Sequence, residues 1–205
     1  MFPRMNAHLM WPFFLIGSVS AKDNNLFDAK LHFKQKCSIC HEGQELQRGP
    51  NLFGLKADYL ELQMKAFQDG IRGTNPKNKS EALMGSASSH LPKNVNRRVL
   101  ALWVSRQIPP HKITNIKGDG RSAAAIVQTC NNCHQQEAVL APRLDTLEPW
   151  YMLDQLRKFK SGLRGSNEDD HGGKVMQSVV KGISDSDLKK IVIVFQEQIK
   201  EKRTK

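Results

Sequence analysis

The chain has 205 residues, 39% of them hydrophobic and 25% charged, with 31 Lys and Arg against 20 Asp and Glu and a pI near 9.6. A mean hydropathy of −0.51 excludes a protein built of membrane-spanning helices. This length suits two small domains better than one large one.

Arg4 gives a short basic start, and Leu9 to Ala21 forms an apolar run of 13 residues. Val19-Ser20-Ala21 places small residues at −3 and −1 of a cleavage site before Lys22. A spanning helix needs about 20 residues. Residues 1–21 therefore read as a signal peptide, with cleavage favoured over retention as an anchor.

A helix of roughly a dozen residues is expected to end near Lys36, directly before Cys37-Ser38-Ile39-Cys40-His41. A second helix covers about residues 58–69 and is stopped by Gly70 at the left-handed cap position. An irregular stretch rich in Gly, Ser, Asn and Lys then holds Met84, and Val95, Val99, Leu100 and Trp103 mark the face of a final helix. Pro109-Pro110 cannot continue that helix and favour an extended connection. The boundary is placed there, giving units 22–110 and 111–205. The second unit repeats the order. Its first helix should end near Thr129, before Cys130-Asn131-Asn132-Cys133-His134, and its second covers about residues 150–161, stopped by Gly162. Met176 lies in the matching irregular stretch. Ser184 and Asp187 form a capping box for a last helix lined by Leu188, Ile191, Val192, Phe195 and Ile199.

The two halves align at a shift of 92 without a gap. Pro50 meets Pro142, Leu52 meets Leu144, Leu55 meets Leu147, Tyr59 meets Tyr151, and Gln63 meets Gln155. Phe67-Gln68-Asp69-Gly70-Ile71-Arg72-Gly73 lies over Phe159-Lys160-Ser161-Gly162-Leu163-Arg164-Gly165, and Met84 over Met176. The cysteine motifs differ by 93, so one residue is gained or lost between motif and proline. The chain is a duplication.

Both pentapeptides have the form Cys-x-x-Cys-His, and together they use every cysteine present. This is the attachment pattern of c-type haem: two thiols add to the porphyrin vinyl groups and the next histidine takes the iron. Cysteines at i and i+3 project from one face of a helical turn, with the histidine at i+4 beside the first. A zinc site would bring its Cys pairs roughly 15–20 residues apart, whereas these start 93 apart. A thioredoxin-like pair needs strand alternation that the sequence lacks, and structural disulfides leave the histidines unexplained. Two covalent haem c groups are therefore expected on Cys37, Cys40, Cys130 and Cys133, with His41 and His134 as proximal ligands. Since c-type haem is attached outside the cytoplasm, the protein is expected in the bacterial periplasm.

For the distal position, Met84 and Met176 alone are methionine in both halves. Met64 and Met152 pair with Leu156 and Leu60 and read as packing. His32, His90, His111 and His171 lack matching histidine partners in the repeat and read as surface residues. Pro50 and Pro142 follow their proximal histidines by 9 and 8 residues, where a backbone carbonyl can accept the second ring N–H, fixing the tautomer and raising basicity.

These features resemble the di-haem class I cytochromes typified by cytochrome c4. The resemblance covers nearly all of residues 24–200 and rests on CSICH, CNNCH, the Tyr-x-x-x-Gln-x-x-x-Phe-x-x-Gly-x-Arg stretch of each half, and the two methionines. It implies an all-α protein, two class I cytochrome c folds in tandem, with haems facing each other near the interface and electron carriage as the function. The chain departs from the family at Leu147-Glu148-Pro149, where Leu-Ala-Gly-Gln is common, at Gly54 before Leu55, and at Pro92-Lys93-Asn94, where Leu-Ser-Asp is usual.

His/Met ligation fills both axial positions and raises the potential, so a carrier is expected in preference to an enzyme. Alternatives are a haem c subunit of a periplasmic dehydrogenase, or a di-haem peroxidase or sulfur-oxidising enzyme with a displaceable ligand. Residues 22–205 hold 30 basic and 20 acidic side chains. That surplus points to acidic docking sites on a respiratory complex, terminal oxidase or dehydrogenase, or to anionic lipid headgroups at a membrane surface. Export and haem argue against nucleic acid.

Overall fold

The structure is a computed structural model and describes residues 27–42, 49–109 and 116–203. The signal segment, the boundary at 110/111 and His111 lie outside the described residues. Everything regular among the described residues is helical: α1 (Ala29–Lys36), α2 (Ser38–His41), α3 (Ala57–Gln68), α4 (Lys79–Ala87), α5 (Asn94–Ser105), α6 (Ala124–His134), α7 (Pro149–Lys160), α8 (His171–Val180) and α9 (Asp185–Arg203). None of them is long and apolar enough to cross a membrane. The expected all-α architecture is what forms.

The duplication holds at the level of single backbone bonds. The Leu55 N–H donates to the Leu52 carbonyl at 3.3 Å, and Leu147 to Leu144 at 3.3 Å. Arg72 N–H reaches the Ala66 carbonyl and Arg164 N–H the Lys158 carbonyl, both at 3.1 Å. Gly70 and Gly162 take φ of +71° and +75° after α3 and α7, as expected of left-handed caps. In the first half α5 packs on α1 and α3; in the second α9 packs on α6 and α7. Phe33, Leu55, Leu100, Val127, Leu147, Leu188 and Val192 are among the residues of a buried core that draws on both halves.

Three expectations are corrected. The stretches carrying Met84 and Met176 are not irregular, since α4 and α8 occupy them. The helix into the second motif does not end near Thr129 but runs to His134. In the first half the helix does break at Cys37, where the Ser38 hydroxyl donates to the Lys34 carbonyl at 2.7 Å, a back-bond that bends helices. The third concerns α5. Leu100, Ala101 and Val104 are its buried residues, while Val95 and Val99 are 71% and 38% exposed. Trp103 packs its large ring against Phe33 at 5.4 Å and Phe53 at 6.3 Å, and the buried stripe lies to that side.

Candidate functional site

Each motif sits where a helix ends against a proline loop. Cys37 lies at the joint of α1 and α2, with Cys40 and His41 on α2; Cys130, Cys133 and His134 share α6. All four thiols are free. Burial, reinforced by the neighbouring Cys40, pushes the Cys37 thiol up to about 11, and burial raises Cys130 likewise. His41 Nδ1 stands 2.8 Å from the Pro50 carbonyl oxygen, and His134 Nδ1 stands 2.8 Å from that of Pro142. A carbonyl only accepts, so Nδ1 carries the proton and Nε2 keeps its lone pair. Burial lowers both histidine pKa values, which keeps the rings neutral and ready to ligate.

Gly49, just before Pro50, lies flat against the His41 ring. A Cβ on Gly49 would lie 2.5 Å from His41 Cε1, so only glycine lets the chain pass.

Met84 lines the same cavity as Cys37, Cys40 and His41. Met176 is half-buried and packs against the core from α8. The position of α4 depends on a close backbone approach: Gly73, at φ +82°, would place a Cβ 2.7 Å from Gly85 Cα. Gly165 meets Gly173 in the same way, its Cβ falling 2.4 Å from the Gly173 carbonyl oxygen. Met152 is buried, as expected of packing, whereas Met64 both packs on the core and lines the cavity. His171 is exposed. His90 is exposed but lies at the cavity wall. His32 is not a surface residue: its Nε2 is buried, its ring bonds to the His90 backbone and lies tilted 5.2 Å from that of Phe27, and burial lowers its pKa.

A cluster between the halves was not anticipated. Arg72 pairs with Glu81 and bonds to Gln63, and Arg164 bonds to Gln155 and lies 3.5 Å from the same Glu81 carboxylate. Each guanidinium also stacks 4.5 Å over its own phenylalanine, Phe67 or Phe159. Burial alone would lower Arg164, but Tyr59, Tyr151 and Glu81 outweigh it and raise its pKa, while burial raises that of Tyr151. The repeated Tyr, Gln, Phe and Arg were visible in the sequence as a pattern without a role. Glu81 gave no signal, because Gly173 stands at its repeat position.

These residues fit a haem. Free thiols, a neutral Nε2 and a methionine meet in one apolar cavity, and Arg72 Nε is buried there without a hydrogen-bond partner. Two buried guanidiniums share one carboxylate, which leaves cationic surplus for an acidic edge such as a propionate. No group of three or more His, Cys, Asp or Glu among the described residues is arranged to hold a bare metal ion.

No family model matches the chain, and no curated protein matches it. Solved structures do. The chain is similar to cytochrome c4 of Acidithiobacillus ferrooxidans, with TM-score 0.60 and 24% identity over 78% of this chain and 96% of that one. It is also similar to a thiosulfate dehydrogenase of Marichromatium purpuratum, with TM-score 0.61 and 18% identity over 78% of this chain but 35% of that one. The fold is thus the tandem class I cytochrome c fold seen in cytochrome c4.

Proposed function

We propose that the chain is a di-haem electron carrier of cytochrome c4 type, working outside the cytoplasm. One haem is held by Cys37, Cys40, His41 and Met84, the other by Cys130, Cys133, His134 and Met176. The observation that carries the reading is the pair of proximal histidines, each directly after its two free cysteines and each tied through Nδ1 to a proline carbonyl at 2.8 Å. When bound, such haems supply a one-electron ferric/ferrous couple. The chain's own residues then have three tasks. Pro50 and Pro142 hold the imidazoles in one tautomer and raise their basicity. Met84 and Met176 would supply thioethers to the haems, and a thioether favours ferrous iron. The helices and the buried core shared by both halves position the two sites.

Covalent attachment is the first test. Haem should stay on the denatured polypeptide at two per chain; extraction by acidified acetone would refute the reading. A second reading, the haem-bearing part of a dehydrogenase complex, draws on the similarity to 35% of the M. purpuratum thiosulfate dehydrogenase. Binding of carbon monoxide or cyanide by the native protein separates a catalytic site from a carrier, since a six-coordinate carrier binds neither readily. Donors and acceptors in this proposal are acidic redox proteins of the periplasm or membrane surface.

A further inference from the structure

The Pro50–Asn51 peptide group is hydrogen-bonded at both ends. Its carbonyl oxygen lies 2.8 Å from His41 Nδ1, and its N–H donates to Glu148 Oε2 at 2.9 Å. Asn51 is 1% exposed, so this bond is shielded from water. Glu148 belongs to the other unit and reaches across from the residue before α7. Its repeat counterpart is Lys56, 92 positions earlier. Lys56 crosses in the opposite direction, donating to the Gln136 carbonyl and, at 3.4 Å, to that of Val139, in the loop after His134. An ammonium cannot accept a hydrogen bond from the Arg143 N–H, so the second site lacks an equivalent relay. At matched positions each unit thus sends a charge toward the other's proximal histidine, and the two charges have opposite sign.

We propose that Glu148 polarises the Pro50–Asn51 peptide against His41 and that Lys56 opposes it at the second site, so that the second-unit haem is reduced first. This deepens the di-haem reading and rests on it. A carboxylate on the peptide N–H makes its carbonyl a stronger acceptor, and a more basic His41 stabilises ferric iron. A cation beside His134 stabilises the ferrous form instead. In transfer between the sites one electron leaves the first, which is oxidised, and enters the second, which is reduced. No proton moves, because His41 keeps its Nδ1–H.

The test is a potentiometric titration of the holoprotein, with haem methyl resonances assigned to each unit by NMR. The second-unit site should have the higher potential. Glu148→Gln keeps an acceptor for Asn51 but removes the charge, and should favour reduction of the first site about tenfold, or about 59 mV for one electron, leaving the second nearly unmoved. Lys56→Gln should lower the second site. The wild-type protein alone gives a further measurement: the Nδ1 proton of His41 should resonate downfield of that of His134 in the reduced state. A first site already higher in the wild type, a first-site potential indifferent to Glu148→Gln, or a His41 proton upfield of that of His134 overturns the relay. A protein without covalent haem yields no titration and overturns the di-haem reading instead.

Discussion

Gly49 and Met84 show how differently single residues declare themselves. Replacing Gly49 by alanine puts a methyl group into the His41 ring, and overpacking of this kind costs about 1–3 kcal/mol. Gly49→Ala should therefore disturb the first site alone, seen as loss of low-spin signal from one haem of two. Ala141 is the repeat counterpart and tolerates its side chain, because the loop from His134 to Pro142 is one residue shorter. Met84→Ala and Met176→Ala should each remove about half of the weak far-red sulfur-to-iron absorption and open one iron to carbon monoxide. An absorption band unchanged by both would move ligation to histidine, with His90 at the cavity wall the first candidate. The histidine–proline contacts were legible because a carbonyl 9 or 8 residues further on can reach the second ring nitrogen. Gly49 was not, since its requirement arises from how the chain folds back on a ring eight residues earlier.

Elements were legible where an apolar stripe faced the core and obscure where it did not. In α9 the five marked residues, Leu188, Ile191, Val192, Phe195 and Ile199, are all at most 3% exposed, and the Ser184 hydroxyl accepts from the Asp187 N–H at 3.1 Å. The reciprocal half of the capping box differs, as the Asp187 carboxylate accepts from the Ser184 hydroxyl at 2.7 Å. Short α4 escaped detection because Ser, Gly and Lys dilute its periodicity, and α8, though amphipathic, because it opens on Gly172-Gly173; close glycine contacts back both. Leu188→Ala should cost about 2–5 kcal/mol. Ser184→Ala should cost about 1 kcal/mol. Val95→Ala, on the solvent side of α5, should change stability by less than about 0.5 kcal/mol. Urea unfolding of the holoprotein ranks the three, and a Val95 effect matching that of Leu188 would restore the sequence-based reading of α5.

At the scale of the whole molecule two charge patterns act, one inside and one outside. Inside, Glu81 is 7% exposed and compensates Arg72 and Arg164 from opposite halves. Breaking a buried pair typically costs about 3–5 kcal/mol. Glu81→Gln should therefore lower the melting temperature by several degrees, whereas Ser80→Ala, which removes the exposed hydroxyl facing Lys158, should hardly move it. Equal melting of both variants would mean that Glu81 does not join the halves. The pairing was hidden in the sequence because a duplication reveals what is repeated, and this carboxylate occurs once. Outside, residues 22–110 carry 14 basic and 8 acidic side chains and residues 111–205 carry 16 and 12, so both units are cationic and the first more so. Long-range attraction raises the rate of encounter with an acidic redox partner and leaves the transfer step within the complex largely unaffected. Screening removes that attraction as the Debye length falls from about 30 Å at 0.01 M salt to about 10 Å at 0.1 M. The second-order rate of reaction with an acidic acceptor should fall steeply over that range, while the first-order rate at saturating acceptor stays level. A second-order rate that is flat or rises with salt would show that the basic surface does not steer the reaction. Apolar contact at an exposed haem edge, beside Ile39 at 71% exposure, would then govern docking.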